Sequence, residues 1–80
     1  MKKYPIRLNS IDEVTAFVKT VNQYDCDMDI CKGSAVIDAK SFLGILTICP
    51  GTDLELIIHE NDHKEILDSL SGFLLDEKSA

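Results

Sequence analysis

Between Ile11 and Tyr24 the apolar residues Val14, Phe17, Val18 and Val21 recur at i, i+3, i+4 and i+7, the stripe of a helix with one buried side. Ser10 precedes this stripe and Glu13 follows three positions on, the pairing of a capping box. A second stripe, Ile66, Leu67, Leu70, Phe73 and Leu74, comes after Asn61 and Asp62, which supply helix-start residues. Between the stripes the period changes. Cys26, Asp27, Met28, Asp29, Ile30 alternates strictly between apolar and acidic, which only a half-buried strand sorts onto two faces. Lys32, Gly33 and Ser34 turn the chain, and Ala35 to Asp38 returns as the second arm of a hairpin. Ser41 to Leu46 fits a short helix with Ser41 at its N-cap, ended by Pro50 and Gly51. Leu54, Leu56 and Ile58 alternate with Glu55, Ile57 and His59, a strand predicted to be buried on both faces near Ile57. Tyr4 to Leu8 suits an edge strand, since Pro5 sits near its start.

The predicted order is therefore β, α, β, β, short α, β, α. One-sided helices and a largely one-sided sheet bury their apolar sides against each other, giving a two-layer α+β domain with helices on one face and water on the other. Outward-facing Asp27 and Asp29 agree with that open face. Eighty residues, 45% of them hydrophobic, make one core, predicted over residues 1–75 with 76–80 as a frayed tail. No apolar run approaches the ~20 residues of a membrane span, and Met1 to Pro5 has no signal-peptide core, so a cytoplasmic location is expected. A formal charge of -6 repels phosphate backbones and anionic lipid, which argues against nucleic-acid and membrane partners. Cys26, Cys31 and Cys49 match neither a zinc or redox motif nor a disulfide framework, so they are read as small core residues.

Two motif-like stretches carry nothing. Asp25, Asp27 and Asp29 imitate the start of a calcium loop, but Ile30 stands where the glycine belongs and Val36 where the glutamate belongs. Asp68, Ser69, Leu70 copies the attachment site of acyl carrier proteins, yet it lies inside a predicted helix of a chain that also has strands. No metal or cofactor is expected.

The element order, the stretch Tyr24, Asp25, Cys26, Asp27, and above all Lys40, Ser41, Phe42, Leu43, Gly44, Ile45, Leu46 resemble HPr, the histidine-containing phosphocarrier of the bacterial sugar phosphotransferase system. In Gram-positive members the short helix reads Lys-Ser-Ile-Met-Gly-Val-Met, so the match needs only apolar exchanges. The resemblance implies an antiparallel four-stranded sheet, an open-faced βαββαβα sandwich. HPr proteins carry phosphate on a histidine at the N-terminus of the first helix, followed by arginine two positions on and then proline. Ser10, Asp12 and Glu13 hold those places here. A serine ester is too stable to pass phosphate on, and both acids repel an incoming phosphoryl group. His59 and His63 are expected at the far end of the sheet, on the surface.

The resemblance implies a non-catalytic, regulatory protein working through protein contacts. In the family, the serine matching Ser41 is phosphorylated by HPr kinase/phosphorylase and the product binds a transcriptional regulator. Ser41 is therefore the candidate modification site, with Lys40, Phe42, Leu43 and Leu46 as candidate partner contacts. Lys40 is expected to offset part of a phosphate's charge, and Leu43 to face outward. A phosphocarrier with a relocated nucleophile and a structural subunit of a larger complex are the alternatives.

Overall fold

The computed structural model describes residues 2–49 and 51–75, so the predicted tail at 76–80 lies outside the described residues. Its elements are β1 (Lys3–Leu8), α1 (Ile11–Val21), β2 (Met28–Lys32), β3 (Ala35–Asp38), α2 (Phe42–Leu46), β4 (Gly51–Ile58) and α3 (Lys64–Ser69). The strands form one sheet in the order β1-β4-β2-β3, with every neighbouring pair antiparallel. The α+β open-faced sandwich expected from the sequence is the architecture found.

Period-two patterning decides which side of the sheet is dry. Met28 and Ile30 of β2, Leu54, Leu56 and Ile58 of β4, and Ile6 and Leu8 of β1 are all buried. Val14, Phe17 and Val21 of α1, Ile45 of α2, and Ile66 with Leu70 at the end of α3 complete the same core. Phe17 is fully buried and meets Phe73 edge-on at 5.5 Å between ring centroids. Gly33 takes φ +60 as the first of the two residues between β2 and β3, while Ser34 keeps an ordinary φ, the requirements of a type II′ hairpin turn.

Several boundaries differ from the expected ones. Helix α1 ends at Val21, because Asn22 folds its amide back onto the Val18 carbonyl at 2.8 Å and caps it. Strand β2 begins at Met28, where pairing with Ile58 starts, so Cys26 and Asp27 precede it. Ile57 is only half-buried: it lies on the open face, which none of the helices covers. Cys31 shares that face with Val36 and Glu55, yet is buried between them.

The largest correction concerns the last helix. It starts at Lys64 with His63 at the N-cap position and no side-chain cap bond, so Asn61 and Asp62 do not start it. It stops at Ser69, leaving Phe73 in a turn and Leu74 bridged to Ile6. The cause is the free edge of β1. The Arg7 N–H donates to the Phe73 carbonyl at 2.9 Å, and the Leu75 N–H donates to the Pro5 carbonyl at 2.9 Å. Backbone groups that β1 would otherwise leave unpaired are satisfied, and Phe73 still reaches the core.

Truncating Phe17 to alanine is expected to cost about 3–5 kcal/mol, since it empties the centre of a small core and strands Phe73. Urea unfolding measures this; a loss under about 1 kcal/mol would show that the core closes without it.

Candidate functional site

The start of α1 is closed by its own residues. Ser10, in extended conformation, accepts the Glu13 N–H on its hydroxyl oxygen at 3.1 Å. The Glu13 carboxylate accepts from the N–H of Asn9 at 2.7 Å, one residue earlier than in the usual capping box. The Glu13 N–H is thereby engaged, and Asp12 and Glu13 put negative charge where an incoming anion would sit. No imidazole is near. Leu8, the end of β1, pairs with Gly51 at the start of β4, whereas His59 follows the other end of β4. His59 donates through Nε2–H to the Asp29 carboxylate at 2.8 Å. His63 is less superficial than expected: half-buried, it meets the Tyr4 hydroxyl at 2.7 Å through Nε2 and the Glu60 carbonyl through Nδ1.

Helix α2 lies across α1 so that the two run in opposite senses. The Asn22 amide at the end of α1 donates to the Lys40 carbonyl at 3.2 Å, just before α2 begins. At the other end, Leu46 and Cys49 join Asn9, Ser10, Ile11 and Val14 around a groove of about 270 Å³. Its walls are mostly aliphatic. Burial pushes the Cys49 thiol up, with Lys32 pulling weakly against it, so the sulfur stays protonated and a poor nucleophile.

Ser41 caps α2 by accepting the Gly44 N–H at 3.0 Å, and its side chain is partly buried. Ile45 points into the core, Phe42 and Leu46 pack at its margin, and Leu43 stands out at 75% exposure. The Lys40 ammonium donates to the Tyr24 carbonyl, which ties the loop after α1 to the start of α2. Ile11, 65% exposed, was not singled out by the sequence pattern. It continues the α1 stripe in register, and only the position of the first turn beyond the covered core shows that it is uncovered. Cys49, expected to be a core residue, is half-buried and lines the groove with Ser10, a placement that nothing in its spacing indicates.

A four-stranded antiparallel sheet with helices on one face, and with two serine-capped helices packed side by side, defines a small open-faced sandwich protein. Comparison with known proteins makes this specific. The family described as "PTS HPr component phosphorylation site" matches residues 13–76. The HPr-like protein Crh of Bacillus subtilis (strain 168) is 30% identical over 63 residues, spanning 76% of this chain and 74% of the relative. Among solved structures, the phosphocarrier protein HPr of Bacillus anthracis str. Ames superposes with a TM-score of 0.71 at 25% identity, covering 92% of this chain and 94% of that one. The HPr-C-His structure from Thermoanaerobacter tengcongensis shares the fold, with a TM-score of 0.70 at 20% identity over 90% of this chain and 89% of that one. Crh of Bacillus subtilis, solved as an intertwined dimer with a swapped domain, gives 0.64 at 26% identity over 85% of this chain and 79% of that one. The chain belongs to the HPr family. The family match begins at Glu13 and leaves out Ser10.

Two substitutions test this geometry. A Cβ on Gly44 would stand 2.9 Å from Ile37 Cγ2 and 3.1 Å from Ser41 Oγ. Gly44→Ala is therefore expected to lose about 1–2 kcal/mol in urea unfolding, overpacking outweighing the helix-propensity gain; a stabilised variant would contradict the close approach. Ser10→His alone is expected to accept phosphate from enzyme I at under about one-hundredth of the rate of a histidine-bearing HPr, and adding Asp12→Arg to recover at least about tenfold. Equal labelling of the two variants would show that charge is not the obstacle.

Proposed function

We propose that the protein is a non-catalytic HPr-family member that acts through protein contacts in phosphotransferase-linked regulation, with Ser41 as the switch. The observation that carries this reading is the contrast between its two helix starts. At α1 the acceptor side is closed by the Ser10–Glu13 cap and flanked by acids. At α2 a serine cap of the same kind, Ser41, stands in a first turn with no acidic residue, beside exposed Leu43 as Ser10 stands beside exposed Ile11, so the contrast is one of charge.

A phosphate on Ser41 adds about -1.5 to -2 charges where the free N–H groups of the first turn can take it, so the helix is kept and the surface changes. With Lys40 held by Tyr24, the charge is left for the partner to neutralise. The matching partner pairs a basic group for the phosphate with a hydrophobic pocket for Leu43, with Phe42 and Leu46 supporting it from the core margin. An HPr kinase/phosphorylase would write the mark and a transcriptional regulator would read it, as the family resemblance implies.

Ser41→Ala is expected to abolish labelling by an HPr kinase and to cost about 1 kcal/mol through the lost cap, with the circular dichroism spectrum unchanged. Leu43→Glu is expected to keep labelling and to weaken capture of the partner by phosphorylated protein at least about tenfold. If the protein is never labelled and Ser41→Ala captures the same partners, Ser41 is a helix cap only.

A further inference from the structure

We infer that residues 73–75 are a strap that opens and closes over the free edge of β1 as a unit of its own, hinged at Ser71 and Gly72, while the rest of the domain stays folded. The strap holds the edge by two backbone bonds: the Arg7 N–H donates to the Phe73 carbonyl and the Leu75 N–H to the Pro5 carbonyl, each at 2.9 Å. Between these bonds Leu74 stands opposite Ile6. Phe73 and Leu74 are half-buried at the margin of the core, where Phe73 meets the Phe17 ring edge-on. Leu75 is exposed.

The hinge lies where the packing stops. Leu70 is fully buried, which anchors the end of α3, but Ser71 and Gly72 are both exposed. The Ser71 N–H reaches the Asp68 carbonyl only at 3.4 Å, and a Cβ placed on Gly72 would meet nothing within 4 Å. Rotation about these two residues therefore disturbs no side-chain packing of their own. Releasing the strap costs the two bridging bonds, the turn bond from the Phe73 N–H to the Leu70 carbonyl and the partial burial of two side chains. That is far less than the cost of separating β1 from β4, whose inward residues are buried, so the strap belongs to the low-stability end of the molecule.

Opening has a defined consequence. Because the Pro5 carbonyl and the Arg7 N–H turn outward to the strap, the alternation of an antiparallel ladder turns the main-chain groups of Ile6 inward to β4, where Ile6 is in register with Leu54. Pro5 has no N–H of its own to offer at the edge. Open, β1 presents one acceptor and one donor two residues apart, the pattern to which an extended chain adds as a new strand. Closed, the strap withholds both groups, and the chain gates its own sheet edge.

Native-state hydrogen exchange of the full chain, read residue by residue by NMR, tests this. The Arg7 amide is expected to have a protection factor at least about tenfold below that of Ile6, and one nearly independent of low urea concentrations, since opening exposes little surface. Leu75→Pro removes one bridging donor at an exposed position and should lower Arg7 protection about five- to tenfold further, leaving Ile6 within about twofold. Gly72→Ala enters open space at an ordinary φ, so it should narrow the open ensemble and raise Arg7 protection about two- to fivefold; it keeps the test open if Leu75→Pro does not fold. Equal protection of Arg7 and Ile6 in the parent, with the same urea dependence, would overturn the inference, because the edge would then open only with the whole domain. So would Arg7 protection unchanged in both variants, or a Leu75→Pro protein in which Arg7 and Ile6 lose protection together.

Discussion

Covering a single face of the sheet is the constraint on which the rest of the structure depends. β4 lies between β1 and β2, and its Leu54, Leu56 and Ile58 face inward together. That face must be roofed, and the residues available to roof it are the stripes of α1 and α3 with Ile45 of α2. Phe17 is the largest of the fully buried side chains and sits where these contributions meet. In a domain that buries only roughly 60% of its unfolded surface, there is little reserve to replace a lost contact of this size. The helices consequently take the positions that the sheet leaves open, and the two serine-capped starts are fixed by that packing.

The same packing explains how the fold accommodates Ser10 at the start of α1. An N-cap needs only an oxygen to receive a backbone N–H, and Ser10 supplies it as well as any residue. First-turn acids complement the helix dipole, so Asp12 and Glu13 help α1 while spoiling its end for an anion. A serine at this position therefore keeps the cap that the fold requires. At α2 the requirements differ, because Gly44 is pressed against Ile37 and against the Ser41 hydroxyl. The serine, the glycine and the strand beneath them form one packed unit, which holds the Ser41 hydroxyl against the first turn of α2.

The sequence by itself determined the order of elements, the two-layer arrangement and most of the core. Periods of two and 3.6 residues report which residues share a face, and a small domain has only one place to put those faces. It also showed that Ser10 caps the first helix and Ser41 the short one, because caps are local and read from a few neighbouring residues. Tertiary structure alone decided where pairing and packing override local pattern. Phe73 and Leu74 continue a helical stripe in sequence, yet β1 had unpaired backbone groups that their segment could satisfy, and a hydrogen-bond demand from a strand distant in sequence is invisible in a periodicity. Lys40 reads as a surface cation until the Tyr24 carbonyl is brought beside it. Ile11 continues a buried stripe but overhangs the core, and Cys49 lines one groove with Ser10 only because α2 lies back across α1. In each case the deciding partner comes from another element, and only the folded chain sets that distance.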